Sequence, residues 1–494
     1  MHASFARPAC SCPPSGVFRL SRSAPDPRRC QGPWGGQQPI GRRRVLEAGA
    51  LGALGLSLPA WLRGSMAAAG NLGVTLPNVA AGRAKACILM FMWGGPSQLD
   101  TFDLKPNAPD EVRGEFKPIA TNVPSIQICE HFQRLARHAD KLAIIRSLNH
   151  DDPAHLSSGH ATLTGHRAPK VNSDAEPPSE RDTPHIGSTL SKVRPAAGTL
   201  PSFVTIPWLT SHPAAPGGQA PGQTAGWLGK RYDPVVIGGD PNTPDWRVRE
   251  LSLLDGVSLA RLESRHALLN SIDLQRRGLE SAQAAVDLDG FQQRAFGLLS
   301  SPEARQAFDL SQEPDTVRER YGRNIHGQCV LLARRLVERG VPLVSVNWHN
   351  DGQNFWDTHG NNFNRLKKDL IPPADMALSA LLEDLQERGL LDETLIAWVG
   401  EFGRRPQISR QHAGREHWPF CYSGLLAGGG IRGGAVYGAS DAQGARPAEL
   451  PVTPQDYAAT MLEALGISAD MALPDPLGRP LKICGGTPIR ALFG

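Results

Sequence analysis

Pro-Leu-Val-Ser-Val-Asn-Trp-His (342–349) opens the stretch of the chain, residues 342–434, from which the fold can be inferred. This run is apolar and ends in polar residues, which is typical of a strand that leads into a loop. A segment with leucines at helical spacing follows from Asp375 to Arg388, and Thr-Leu-Ile-Ala-Trp-Val-Gly (394–400) has the composition of a buried strand. A further apolar run covers Cys421 to Leu426. Strand, helix, strand, loop and strand in this order predict an α/β fold around a sheet.

Histidines and carboxylates lie close to the ends of these strands. Asp357 and His359 belong to the loop after the first strand, Glu401 directly follows the second, and His417 precedes the third. In open α/β sheets the loops beyond the strand ends line a common crevice, so these four side chains can meet. Two imidazoles and two carboxylates suit a divalent transition metal. The alternative is that each is a solvated loop residue or a capping group.

Upstream, the run Ala84 to Met92 predicts the first core strand of the domain. It continues into Trp-Gly-Gly-Pro-Ser-Gln-Leu-Asp (93–100), whose glycines suit a sharp turn or a close approach to a ligand. Asp100 is therefore a candidate for the site, and an ordinary turn between strand and loop is the alternative.

A second strand, Leu142 to Arg146, leads into Asn-His-Asp-Asp-Pro-Ala-His-Leu-Ser-Ser-Gly-His (149–160) and a predicted helix. A helix N-terminus favours anions, because its first N–H groups are free and its dipole is positive there. The candidates for nucleophilic or acid/base work are His155, Ser157, Ser158 and His160. Serines that only cap the helix are the alternative.

Other segments of the chain predict supporting structure. Residues 202–206 read as a strand, and residues 209–245 are dense in Gly and Pro, which predicts a long surface excursion near the mouth of the site. Helical patterns cover 251–299 and 321–339. A closing helix begins with Thr453 as its cap and Pro454 in its first turn.

The N-terminal 69 residues predict a segment that the mature protein lacks. Gly-Arg-Arg-Arg-Val-Leu-Glu (41–47) precedes an apolar stretch from Ala48 to Leu62, and Met-Ala-Ala-Ala-Gly (66–70) supplies small residues for cleavage. This order predicts a twin-arginine export signal after a disordered start, so the mature chain is periplasmic or secreted. A membrane anchor is disfavoured by the short, Gly-rich stretch, and no transmembrane segment is expected in the mature chain. Residues 70–494 are expected to form one domain.

Composition excludes some classes of function. With 40 % hydrophobic residues the 494-residue chain can bury a large core, and a formal charge of only +4 gives no reason to expect a nucleic-acid partner. Five cysteines lie beyond the signal without a CxxC pair, which excludes a zinc ribbon. Buried thiols are the default for them, with one or two disulfides as the alternative.

Taken together, these motifs resemble an exported domain-of-unknown-function family, family 1501, which is grouped as sulfatase-like within the alkaline phosphatase superfamily. The motifs that carry the resemblance are Trp-Gly-Gly-Pro-Ser-Gln-Leu-Asp, His-Leu-Ser-Ser-Gly-His, Trp-Asp-Thr-His, Arg-Gly-Leu-Leu-Asp-Glu-Thr-Leu, Glu-Phe-Gly-Arg and Gly-Arg-Glu-His-Trp. The similarity runs from about Lys85 to about Ile467. It implies an alkaline-phosphatase/sulfatase-like mixed sheet sandwiched between helices, with the Gly/Pro-rich stretch as a long insertion.

Superfamily members use one or two metals to activate a Ser, Thr or modified Cys nucleophile. The resemblance implies the metal ligands Asp100, Asp357, His359, Glu401 and His417. Trp93 stands where the superfamily has its first Asp ligand, so Asp100 has to substitute for it, and Phe402 replaces a His. Counting back from Thr164-Gly165 places the nucleophile position on His155.

Two functions follow from this resemblance. The first is an exported hydrolase of sulfate or phosphate esters, on a small molecule or a polysaccharide, that depends on a divalent metal (zinc, manganese or calcium). In it His155, Ser158 and His160 do catalytic work, and Arg404 or Arg415 holds the anionic group. The alternative is a non-catalytic envelope or carbohydrate-binding protein with a degenerate site. A zinc peptidase is disfavoured, because the chain has no His-x-x-x-His helix.

Overall fold

A mixed β-sheet lies at the centre of the computed structural model, which describes residues 83–248, 258, 260–261, 264–265, 267–268, 296–348 and 355–494. Within that part of the chain the sheet has eight strands. They are β1 (Ala86–Phe91), β2 (Leu142–Leu148), β3 (Phe203–Ile206), β4 (Val235–Val236), β5 (Leu343–Asn347), β6 (Thr394–Val399), β7 (Tyr422–Ala427) and β8 (Ala435–Tyr437). Their order across the sheet is β8-β2-β7-β6-β1-β5-β3-β4.

Helices cover both faces of this sheet. The longer ones are α1 (His155–Thr164), α2 (Ile186–Val193), α3 (Ile325–Glu338), α4 (Ile371–Glu387) and α5 (Pro454–Ala464). Shorter helices are Asp110–Arg113, Pro302–Phe308, Asp315–Tyr321 and Asn362–Arg365, and Leu135–Lys141 is a 3₁₀ segment. The predicted architecture, a mixed sheet sandwiched between helices, is confirmed.

The apolar strand runs supply a core on each face, because successive side chains of a strand point to opposite sides. In β1, Ile88 and Met90 join the core that includes α3 and α4. Leu89 and Phe91 join the second core, which includes α1, α2 and α5. Strands buried on both faces need continuous rather than alternating apolar sequence, which is what residues 86–91 have.

Strand direction determines which loops share an edge of the sheet. β1 pairs in parallel with β5 and β6, whereas β7 is antiparallel to both β6 and β2. β2 therefore points the same way as β6. The carboxyl ends of β1, β2, β5 and β6 lie along one edge, and the segments that follow them carry most of the predicted site residues.

Short ribbons and caps fix the segments outside the sheet. Gly403–Arg404 pairs antiparallel with His417–Trp418 and returns the chain from β6 to β7. Other two-stranded ribbons are Pro118–Ala120 with Gln127–Cys129, Ala439–Ser440 with Pro447–Glu449, and Ala472–Pro474 with Pro480–Lys482. The Thr453 cap of α5 is present, as the hydroxyl accepts from the Asp456 N–H in a capping box.

The five cysteines in the described part of the chain are free and buried. No described helix has both the length and the apolar character needed to cross a bilayer. The export signal, most of the helix predicted at 251–299 and the segment 349–354 lie outside the described residues.

Candidate metal centre

The loop after β1 forms the floor of the site, and it depends on a glycine. Gly94 has a φ of 104°, and a Cβ there would collide with the backbone of Trp356 and Asp357. This close approach lets the Trp356 N–H donate to Trp93 O at 2.9 Å. The Gly94 N–H in turn donates to Glu401 Oε1 at 2.8 Å. The glycine thus joins the ends of β1 and β6 to the segment that follows β5.

Three histidines have their Nδ1 atoms held by acceptors. The contacts are His155 Nδ1 to Glu401 Oε1 at 2.6 Å, His359 Nδ1 to Glu416 Oε2 at 2.6 Å and His417 Nδ1 to Pro153 O at 2.8 Å. A carbonyl or a carboxylate accepts a hydrogen bond, so we assign a proton to each Nδ1. Each Nε2 is then the atom left to bind a cation, an arrangement common among metal-binding histidines.

All three Nε2 atoms lie close to the carboxylate of Asp357. His359 Nε2 is 3.0 Å and His417 Nε2 3.3 Å from Asp357 Oδ1, while His155 Nε2 is 3.5 Å from Oδ2. His359 Nε2 and His417 Nε2 are only 2.9 Å apart. Two unprotonated ring nitrogens at this distance repel each other unless a proton or a cation lies between them.

The donor set fits a transition metal. One ligand atom each from His155, Asp357 and His417 lies within 4.8 Å of the other two, and His359 adjoins them. Imidazole nitrogen and carboxylate oxygen are donors that zinc and manganese accept. Calcium prefers six to eight oxygens, which a histidine-rich cluster does not supply.

Charge in the cluster favours an ionised Asp357. Burial alone would raise the pKa of this carboxyl, but the Arg404 guanidinium and hydrogen bonds from His155, His359 and His417 hold it well below its ordinary value. Burial lowers the pKa of His417 below its ordinary value, although Asp357 acts against this. Asp357 therefore supplies a negative charge and His417 a neutral nitrogen at pH 7.

The pKa of His155 is shifted upward, in the direction opposite to that of His417. Burial would lower its pKa, but hydrogen bonds with Asp357 and Glu401 raise it to about 9. A pKa of about 9 means that the His155 ring is protonated at pH 7. A cation that binds Nε2 must displace the proton on that nitrogen, so binding of a cation there would depend on pH.

Aromatic rings fix the imidazoles in place. The His155 ring centroid is 4.8 Å from that of Phe402 and 5.4 Å from that of Trp93. Phe402 also packs against His417, with 4.6 Å between the ring centroids. Trp93 and Phe402 therefore form walls around the cluster.

Glu401 lies behind His155. It is fully buried, and its Oε1 is shared by Gly94 and His155. Its Oε2 has no hydrogen-bond partner among the described residues. Glu401 thus orients the His155 ring.

Asp100 and Arg415 form a buried ion pair outside the cluster, whereas the buried Arg404 contacts Asp357 of the cluster. Arg415 donates to both oxygens of Asp100, at 2.7 and 3.0 Å. Arg404 donates to the Gly94, Gly95 and Arg415 carbonyls and to Asp357 Oδ1, the last at 2.5 Å. Both guanidinium groups are fully buried, so they position loops and are not exposed to an anionic substrate.

Ser158 and His160 are not brought to the cluster. The Ser158 hydroxyl donates to the Asp152 carbonyl at 2.8 Å and to Ala154 O, so it stabilises the start of α1. Ser157 Oγ accepts from the Ser173 N–H. His160 is one turn and more beyond His155 on α1, and burial lowers its pKa to about 4.

His212 is a neighbour of the cluster that the sequence patterns did not single out. Its ring centroid is 5.5 Å from that of His155. The Ala214 N–H donates to His212 Nδ1 at 3.3 Å, which leaves the proton on Nε2. The sequence feature that could have pointed to His212 is its position in the Gly/Pro-rich excursion, residues 209–245, which was expected near the mouth of the site.

Comparison with protein families gives one match. The model of the family described as "Protein of unknown function (DUF1501)" matches residues 84–493, and so contains the whole cluster. A comparison with curated proteins finds no match.

Solved structures of similar fold include three at low identity. A sulfatase from Pseudoalteromonas sp. has a TM-score of 0.33 and 13 % identity, over 78 % of this chain and 69 % of its own. A phosphonate monoester hydrolase from Silicibacter pomeroyi has 0.31 and 13 %, over 83 % and 76 %. The C-terminal periplasmic domain of EcEptC from Escherichia coli, in complex with zinc, has 0.33 and 9 %, over 83 % and 94 %.

Proposed function

This chain belongs to the DUF1501 protein family, and for it we propose a metal-dependent hydrolysis of sulfate or phosphate esters. The observation that carries the proposal is the convergence of three imidazole Nε2 atoms on the Asp357 carboxylate. Such a cluster requires a proton or a cation at its centre, and its donors are those of a catalytic transition-metal site.

His155, Asp357 and His417 would hold the ion, and His359 completes the set of donors. Zinc or manganese fits these donors, and calcium does not. A bound divalent cation supplies polarisation of an ester oxygen and acidifies a nearby water. Glu401 and Pro153 orient two of the imidazoles, and Arg404 keeps Asp357 ionised.

Water is the nucleophile that this arrangement favours. Ser157 and Ser158 are buried and bound to the backbone, so neither hydroxyl is available for attack. His155 is also buried, with Nδ1 held by Glu401 and Nε2 directed at Asp357, which suits a ligand better than an attacking group. Among the three histidines of the cluster, His359 has the most exposed side chain, at 43 %, so water can reach the cluster from this side.

A neutral hydrogen-bond donor, the His212 ring, would recognise the ester. Burial lowers the pKa of His212, so its ring is neutral at pH 7 and presents Nε2–H beside His155. A neutral N–H donor can bind an ester oxygen of a sulfate or phosphate group on a small molecule or a polysaccharide. Because the residues of the cluster lie at loop ends, the substrate would approach from the carboxyl edge of the sheet.

A substrate screen tests this proposal. Purified protein loaded with zinc or manganese is assayed with aryl sulfates and with phosphate mono- and diesters. We expect turnover that falls by at least about 100-fold in Asp357→Asn and His417→Ala, since each removes a ligand. The exposed Asp392→Asn serves as the control with unchanged turnover. Absence of turnover, or turnover that survives Asp357→Asn, would exclude the cluster as the catalytic site.

A non-catalytic binding protein is the second candidate function. It is favoured by the full burial of Arg404 and Arg415, which removes the expected guanidinium contact with an anionic group. The same screen decides between the two: metal-loaded protein that binds sulfated or phosphorylated saccharides without hydrolysing any ester supports the binding function.

Export by the twin-arginine route is part of the proposed function. The paired arginines at 42 and 43 and the apolar stretch after them support it. Because this route carries folded proteins, the metal would be bound before export, and the enzyme would act in the periplasm or outside the cell.

A further inference from the structure

A polar cavity lies far from the histidine cluster. It has a volume of about 370 Å³ and is formed by the segment around Leu135–Lys141, the helix Asp315–Tyr321 and α4. The segment Leu135–Lys141 leads directly into the start of β2, whereas His155 follows the end of that strand. Seven strand residues at about 3.3 Å each separate the two ends by roughly 20 Å. The cavity is therefore not part of the metal centre.

Positive charge exceeds negative charge in its lining. Three guanidinium groups, those of Arg134, Arg137 and Arg320, face one carboxylate, that of Glu383. Arg320 is bound to Glu387 at 2.9 Å, and Glu383 to His138 Nε2 at 2.9 Å.

Neither Arg134 nor Arg137 forms a salt bridge with a described residue, although the charge of Arg134 interacts with the nearby Asp375 carboxylate. Their side chains are exposed and form no ion pair or hydrogen bond with the described residues. The nearby Asp375 carboxylate accepts the backbone N–H groups of Arg134 and Leu135, at 3.0 and 2.8 Å. Two unpaired arginines on one segment are thus available to an anion.

The inner wall contains polar atoms without partners. The Ser379 hydroxyl, in a residue that is 2 % exposed, forms no hydrogen bond with any described residue, and neither does the buried Nδ1 of His138. A helical serine commonly bonds the carbonyl four residues before it, so an unbonded hydroxyl on α4 is unusual. A buried hydroxyl nearly always has a partner, and an acceptor oxygen of a ligand in this cavity would supply one to Ser379.

We propose that this cavity binds the tetrahedral oxyanion of a sulfate or phosphate group. Arg134 and Arg137 would contact it through their planar forks, and the Ser379 hydroxyl would donate to an inner oxygen. The volume is many times the roughly 30 Å³ of one water molecule, so a small sugar attached to the oxyanion also fits. This binding does not depend on the proposed hydrolysis, since no residue is shared with the metal centre.

Calorimetric titration of the full chain tests the site. Inorganic sulfate, inorganic phosphate and glucose 6-sulfate are titrated into the protein in a buffer of low ionic strength. The same titrations are run on Asp357→Asn, which alters the metal centre and so shows whether that site contributes to the binding. We expect saturable binding in both backgrounds. Tighter binding of the sugar ester would identify a sulfated saccharide as the ligand, and tighter binding of the inorganic ions would identify the free anion.

Variants then assign the binding to the cavity. Arg134→Gln with Arg137→Gln should raise the dissociation constant by about tenfold or more, because two charge-assisted contacts are lost. Ser379→Ala should raise it by a smaller factor with little effect on folding. The matched control is Arg339→Gln, an exposed arginine outside the cavity, which should leave it unchanged. No saturable binding by the unaltered chain, or equal affinity in all four proteins, would overturn the proposal.

Discussion

At the scale of the residue, the proposed metal centre depends on which ring nitrogen each histidine offers to a cation. Three Nδ1–H groups are bound to acceptors, and three Nε2 atoms are left beside one carboxylate. The outer acceptors differ in burial: Glu401 is fully buried, whereas the Glu416 side chain is 52 % exposed. The two carboxylates therefore make a matched pair for testing how orientation of a ligand affects metal binding.

Glu401→Gln should lower the affinity for metal by about 10- to 100-fold, because His155 loses a charged acceptor that fixes its tautomer and ring position. Glu416→Gln should have a smaller effect, since water can replace the exposed carboxylate beside His359. Competition with a chromogenic chelator measures both dissociation constants. An unchanged constant in Glu401→Gln, or a larger loss in Glu416→Gln, would contradict the assigned role.

The sequence predicted part of this site from position alone. Asp357, His359 and His417 lie in segments next to strand ends, so an open sheet brings them together whatever else the chain does. The surroundings of Asp100 could not be predicted in this way, because its carboxylate pairs with Arg415, which is 315 positions away. The sequence does not show whether a loop carboxylate meets a cation or a buried guanidinium. His212 lies in the part of the Gly/Pro-rich excursion that precedes β4, where periodicity gives no information.

At the scale of the element, strand positions were more predictable than helix starts or strand directions. Buried apolar runs define β1, β5 and β6 to within a few residues. The helix expected from Asp375 begins at Ile371, directly after a π-helical turn, Leu366–Leu370, and Pro372 and Pro373 lie in its first turn. The direction of β7 is not encoded in its own residues: the ribbon formed by Gly403–Arg404 and His417–Trp418 turns the chain back along β6.

A buried ion network holds α3 and α4 together. Asp384 of α4 accepts from Arg388 Nε at 2.6 Å and from the Tyr321 hydroxyl at 2.9 Å, and lies 2.8 Å from Arg334 Nε. Burial would raise the pKa of Asp384, but the hydrogen bond from Arg388 and the charge of Arg334 lower it below its ordinary value. The ionised carboxylate therefore stabilises the folded protein.

Asp384→Asn should reduce the free energy of unfolding by about 3 kcal/mol at pH 7, because it leaves the buried Arg334 with one partner fewer. A depressed pKa in the folded state gives stability that is present above the unfolded value of about 3.9 and is lost as pH falls below it. The unaltered chain should thus lose more stability between about pH 5 and pH 3 than the variant does. Urea unfolding at several pH values measures this, with Asp392→Asn as control. Parallel pH profiles for the unaltered chain and Asp384→Asn would contradict the assignment.

At the scale of the whole molecule, the sheet separates two polar regions. The carboxyl edge carries the histidine cluster, and the start of β2 carries the arginine-lined cavity. Both regions would bind sulfate or phosphate groups, although one supplies imidazoles and a carboxylate and the other guanidinium groups.

Export should depend on the arginines at 42 and 43. Substitution of both by lysine should retain the protein in the cytoplasm, since the twin-arginine route reads the paired guanidinium groups. Cell fractionation and immunoblotting measure the distribution. The pair Arg28 and Arg29, changed in the same way, is the matched control and should leave export unchanged. Normal export of the first variant would exclude this route.

Metal content of the purified chain is the most direct test of the metal centre. After reconstitution with zinc or manganese and removal of loose ions, elemental analysis should find about one transition-metal ion per chain. Asp357→Asn should remove that ion, because it takes away the charge on which three imidazoles converge, whereas Asp392→Asn should retain it. An unaltered chain without a stoichiometric ion, or an Asp357→Asn variant that keeps it, would contradict the proposed metal centre.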